Sequence, residues 1–181
     1  MIYELKNCRN GEPASYTSTV DITEKNGVVK FSFHSENTQY FCPHDCYNGI
    51  HSEGDACEIL IGTDPERKVY YEMEISAEGL LMLAKMTNHG FDSDGEQILD
   101  IEFIDTPFIS GECQKTENGY DASISFSLDD VRMCDSEIYF NAFRQETDGG
   151  ERYKHLFALN PTMRPRFHAT EKFVWLKDYL K

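Results

Sequence analysis

The feature that most constrains the fold of this chain is hydrophobic alternation with a period of two. Along Val28-Val29-Lys30-Phe31-Ser32-Phe33-His34-Ser35, the apolar Val29, Phe31 and Phe33 alternate with Lys30, Ser32 and His34. Successive side chains of a strand point to opposite faces, so such a run has one buried and one wet face. Thr17 to Ile22 alternates in the same way, and the link Glu24-Lys25-Asn26-Gly27 carries the Asn-Gly pair that closes tight hairpins. The two runs are expected to pair. Cys57-Glu58-Ile59-Leu60-Ile61-Gly62 and Val69 to Ile75 form a second expected hairpin across Thr63-Asp64-Pro65-Glu66-Arg67, where Asp and Pro favour a turn.

Further strands are expected over Leu80 to Met86, Ile98 to Ile104, Tyr120 to Phe126, Ile138 to Phe143 and Tyr153 to Leu159. Their spacing, roughly 8–12 residues, is that of an all-β sandwich or barrel. Helical signals are short. Ser127 is placed to cap one turn at Leu128-Asp129-Asp130-Val131, and Lys172 to Leu180 reads either as strand or as terminal helix. The apolar phases nominate Val29, Phe31, Phe33, Ile59, Ile61, Tyr71, Met73, Ile75, Ile124, Phe126, Ile138 and Phe140 as the core, closed between two facing sheets.

A length of 181 residues predicts one domain spanning the chain, and no repeat, low-complexity tract or linker divides it. Twelve Phe and ten Tyr supply the apolar bulk of a packed core rather than of a disordered chain. Lys and Arg number 17 against 32 Asp and Glu, a formal charge of −15, which repels phosphate backbones and anionic headgroups. Nucleic acid and membrane are therefore poor partners, and the expectation is a soluble, acidic protein. Met1-Ile2-Tyr3-Glu4-Leu5-Lys6 has no apolar run of an export signal, so a cytoplasmic location and six reduced cysteines are expected.

Two segments have the composition of metal sites. Cys42, His44, Cys46 and His51 gather thiol and imidazole ligands in a loop short enough to close on one zinc ion, although the spacing matches no common zinc pattern and a reduced, metal-free loop is the alternative. Asp92, Asp94 and Glu96 alternate around Gly95 like half of a calcium loop. The twelfth position, which would carry the bidentate Glu, falls on Phe103, so this is not an EF-hand and a solvated acidic turn is the alternative. Gly149-Gly150 lacks the setting of a phosphate loop and reads as a hairpin turn. No nucleophile elbow, zinc-protease or nucleotide fingerprint occurs, so a non-catalytic role is favoured over an enzyme.

The order of segments resembles family 9 carbohydrate-binding modules. Gly54-Asp55-Ala56-Cys57-Glu58-Ile59-Leu60-Ile61, Tyr70-Tyr71-Glu72-Met73-Glu74-Ile75 and Glu78-Gly79 resemble the family's central hairpin. Gly119 to Phe126, Phe140-Asn141-Ala142-Phe143-Arg144, Phe157 to Thr162 and Arg166 to Phe173 resemble later segments. The resemblance spans about residues 15–177. It implies an all-β fold, a sandwich of two antiparallel sheets with at most short helical turns, that binds a small carbohydrate and requires no cofactor, with calcium bound in some members.

Members of the family clamp the sugar ring between two Trp side chains, whereas this chain has Trp175 alone, in a terminal segment suited to the core. The resemblance puts Tyr47 near one clamp position. It also nominates Glu58, Glu72, Asn141, Arg144 and His168 as ligand-binding residues, with Asn141 at opposite parity to Arg144. A shallow cleft formed by the 41–54 loop with Glu58, Glu72 and Arg144 is the expected site. Two other functions compete. One is a haem-binding domain of the same architecture, drawing on six Met and six His. The other is a metal-assisted hydrolase or isomerase using the Cys42-to-His51 loop.

Overall fold

A computed structural model describes residues 1–37, 39–50, 54–134, 136–151 and 154–180. In chain order the strands are β1 (Ile2–Glu4), β2 (Lys6–Asn7), β3 (Ser18–Lys25), β4 (Val28–Glu36), β5 (Ala56–Gly62), β6 (Val69–Ser76) and β7 (Leu81–Phe91). They continue with β8 (Gln97–Phe103), β9 (Ser110–Lys115), β10 (Gly119–Ser127), β11 (Tyr139–Glu146), β12 (His155–Ala158) and β13 (Val174–Trp175). One sheet runs β1-β3-β4-β10-β9 and the other β2-β12-β11-β5-β6-β7-β8, with β13 pairing the start of β11. Every pairing is antiparallel. The fold is an all-β sandwich of two sheets.

The expected hairpins form. Asn26 (φ 55°) and Gly27 (φ 80°) both take the left-handed conformation that a type I′ turn requires and that Asn and Gly adopt at low cost, joining β3 to β4. Ser127 caps the single turn α1 (Leu128–Val131), its hydroxyl accepting from the Asp129 N–H. The stretch 172–180 resolves into neither a strand nor a terminal helix alone: 3₁₀ turns at Thr170–Lys172 and Leu176–Asp178 flank the two-residue β13. Trp175 is 39% exposed there, a correction to its expected core role. Its ring meets Tyr139 edge-on and lies under the Arg67 guanidinium.

The core between the sheets holds the expected alternating residues, with Phe31 of β4 stacked on Phe126 of β10 at 6.0 Å and edge-on to Phe140 of the opposite sheet at 5.4 Å. Tyr71 departs from expectation: it is half-buried, packed edge-on against Phe108. All six cysteines are free. Strands β1, β2 and β9 lacked a clear alternation and lie at or near sheet edges.

The larger sheet has a second apolar layer on its outer face. Leu60, Tyr70, Met82, Met86, Tyr139 and Phe143 are buried there with Phe167 and Phe173, so every residue of β5 and of β11 is buried. Residues 160–173 fold back over this face. Asn160 clips the segment closed at its base by donating to the Lys172 carbonyl at 2.5 Å, and the Thr162 hydroxyl lies within bonding reach of the Arg166 and Arg164 carbonyls, at 2.8 and 3.0 Å.

Candidate functional site

The register of the larger sheet determines which side chains share its outer face. Phe143, Glu58, Glu74 and Met82 stand on one line across β11, β5, β6 and β7. Asn141, Leu60, Glu72, Ala84 and Phe103 occupy the next line, reaching β8. Tyr139 opposes Gly62, and Tyr70 opposes Met86, further along. Even positions of β5, β6 and β7 thus project outward together, so three glutamates of two adjacent strands converge.

Glu58, Glu72 and Glu74 each offer a carboxylate oxygen within 4.8 Å of the others, and among the described residues they are the one set of three ligating side chains so gathered. Glu58, Glu72 and Glu74 point outward from the sheet but are not solvated: the three residues are 6, 2 and 5% exposed. Burial raises all three carboxyls above their ordinary range, and the neighbouring carboxylates raise Glu58 and Glu74 further. Oxygens Oε1 of Glu58 and Oε2 of Glu72 are buried and receive no hydrogen bond from any group outside the acidic cluster.

The covering segment supplies the walls. Phe167 stacks on Phe143 at a 4.3 Å centroid distance, and Phe173 meets Tyr70 edge-on. His168 pairs with the Tyr70 hydroxyl through Nδ1 at 2.9 Å and brings Nε2 to 3.7 Å from Glu72 Oε1. Its carbonyl accepts from the Gln97 amide at 2.9 Å. His168 therefore joins Glu58 and Glu72 at one place, as nominated.

The other three nominated residues do not join them. Asn141 is fully buried and serves the covering segment, donating to the Asn160 carbonyl at 2.8 Å and accepting the Asn160 N–H at 3.0 Å. Arg144 projects to the opposite side, between the sheets, and is fully buried. It donates to the Thr17 carbonyl at 3.2 Å, Ser18 Oγ at 2.8 Å, the Glu36 carbonyl at 3.0 Å and the Glu146 carboxylate. Tyr47 packs against the inter-sheet core and donates its hydroxyl to the Ile104 carbonyl at 2.7 Å. The expected cleft uniting Tyr47, Glu58, Glu72 and Arg144 does not form, because the parity of β11 turns Arg144 inward and the 39–50 loop turns Tyr47 onto the core.

The sequence-nominated metal sets are not gathered. Asp92, Asp94 and Glu96 lie in the exposed β7–β8 turn, where Asp92 Oδ1 accepts the N–H groups of Asp94 and Glu96, each at 2.9 Å. Cys42 donates to the His44 carbonyl at 3.9 Å and Cys46 is exposed, and their ligand atoms do not converge with that of His44. His51 lies outside the described residues.

Sequence reasoning missed Glu74, Tyr70, Phe103, Phe143 and Phe167. The signal for Glu74 was visible in Tyr70-Tyr71-Glu72-Met73-Glu74, where the polar phase of one strand carries two acids. Phe103 stands at the open edge of the same face, 43% exposed.

No protein-family model matches the chain, and no curated protein matches it. Solved structures do. A candidate carbohydrate-binding protein from Bacteroides uniformis superposes with a TM-score of 0.68 at 10% identity, over 96% of this chain and 84% of that one. A family 9 carbohydrate-binding module from Caldicellulosiruptor kristjanssonii, in complex with glucose, superposes with a TM-score of 0.56 at 10% identity, over 99% of this chain and 83% of that one. The chain has the fold of a family 9 carbohydrate-binding module.

Proposed function

We propose that the chain is a non-catalytic carbohydrate-binding module that takes a small neutral sugar on the outer face of its larger sheet. The observation that carries this reading is one register line. Phe103 opposes Ala84, which opposes Glu72, so an exposed aromatic ring lies about two strand spacings, roughly 10 Å, from buried carboxylates on the same face. An aromatic plane excludes water from the C–H face of a pyranose. The glucose complex of a module with this fold supports the ligand class. The formal charge of −15 disfavours acidic sugars.

Calorimetric titration with neutral mono- and disaccharides, and with uronic acids as a contrast, tests the reading. Saturable binding of a neutral sugar without turnover is expected. Phe103→Ala should weaken it by about 1–3 kcal/mol, by analogy with base stacking on aromatic rings. Tyr47→Phe should leave affinity unchanged, since its ring faces the core. Silence across the panel would overturn the reading.

A further inference from the structure

We propose that Glu58, Glu72 and Glu74 form a site for one hard divalent cation, Ca²⁺ or Mn²⁺, seated beneath the segment 160–173. Three oxygens within 4.8 Å of one another match a shell around one ion, because ligands on opposite sides of Ca²⁺, each about 2.3–2.6 Å away, stand roughly 5 Å apart. The donor set is carboxylate oxygen, which suits Ca²⁺ and Mn²⁺ rather than the softer metals held by thiolate.

The second observation is independent of the clustering. Oε1 of Glu58 and Oε2 of Glu72 are buried and receive no hydrogen bond from any group outside the acidic cluster, the two carboxyls meeting only each other, on residues only 6 and 2% exposed. Buried acceptors are ordinarily satisfied, and one left bare points to a partner. A cation satisfies both at once and supplies the charge that three buried carboxylates need.

The scaffold is rigid where the ion would sit. Glu58 and Glu74 are opposed across β5 and β6, and Glu72 shares their face on the next line, so ladder hydrogen bonds rather than a loop fix the three positions. His168 Nε2, 3.7 Å from Glu72 Oε1, is an outer partner oriented by Tyr70, the arrangement that holds a ligating carboxylate in place. The proposal does not depend on sugar binding.

The test uses the full chain stripped with chelator and no sugar. Mn²⁺ is titrated with the free-ion paramagnetic resonance signal as readout, and Ca²⁺ by calorimetry, on the native chain and on chain refolded in the presence of metal. One equivalent bound and a raised melting temperature are expected. Glu58→Gln and Glu72→Gln should each weaken binding at least tenfold while retaining the far-ultraviolet spectrum of the fold; should one fail to fold, the other decides. An Asp92→Asn, Asp94→Asn variant should bind like the parent. Absence of stoichiometric metal in both native and refolded chain, or binding that survives both Gln variants, would overturn the proposal; binding lost only in the Asp92, Asp94 variant would also overturn it, placing the ion in the exposed turn.

Discussion

Glu58 and Glu74 face each other directly across the β5–β6 ladder, two acidic side chains at 6 and 5% exposure. Like charges at opposed positions ordinarily cost stability, and burial adds the cost of removing them from water. In the metal-free chain Glu58→Gln is therefore expected to raise unfolding free energy by up to about 1 kcal/mol, the gain growing as pH rises because burial holds the native carboxyl above its ordinary range. Denaturant unfolding of the chelated protein checks this. A loss of stability would contradict the opposition of charges described for this pair.

Arg144 is a structural residue. Its guanidinium satisfies two backbone carbonyls and Ser18 and pairs with Glu146, all inside the sandwich. Arg144→Ala would strand the Glu146 carboxylate beside Asn37, so a cost of about 3–5 kcal/mol is expected. Arg144→Lys should also destabilise, because one ammonium cannot span the same acceptors. An unchanged denaturation midpoint in the Ala variant would contradict this role.

Asp55 lies beside that network, accepting the N–H groups of Phe41 and Thr147. Burial, with the Glu146 charge second, pushes its carboxyl up to about 7 from 3.8. Between those values the folded chain holds a proton that the unfolded chain has released. Stability from this group is thus present below about pH 4 and declines as pH rises through about 7, by at most about 1.4 kcal/mol per unit. Unfolding at pH 5, 6 and 7, with the Asp55 carboxyl carbon followed by NMR, checks the sign. A carboxyl midpoint near 4, or stability rising over this window, would contradict it.

Much of the fold was legible because it rests on local rules. Alternation in β3, β4 and β10 and the Asn26-Gly27 turn are written in neighbouring residues, and the inter-sheet core follows from them. The site was less legible because it depends on which outward face acquires a cover. Glu58 and Glu72 read as solvated by parity alone; only the fold-back of residues 160–173, anchored by Asn141 and Asn160, buries them. Asn141 and Arg144 looked like ligand residues for the same reason that they are structural ones: each has several directed donors, and sequence does not say whether a backbone carbonyl or a ligand receives them.

The most direct test of carbohydrate binding on the outer face is amide chemical-shift mapping during titration with glucose. Saturable shifts concentrated in β6, β7 and β8 around Glu72, Ala84 and Phe103 are expected, with the smaller sheet unmoved. Shifts centred instead on Lys30, His34 and Asp121 of the smaller sheet, or no shifts with any neutral mono- or disaccharide, would contradict it.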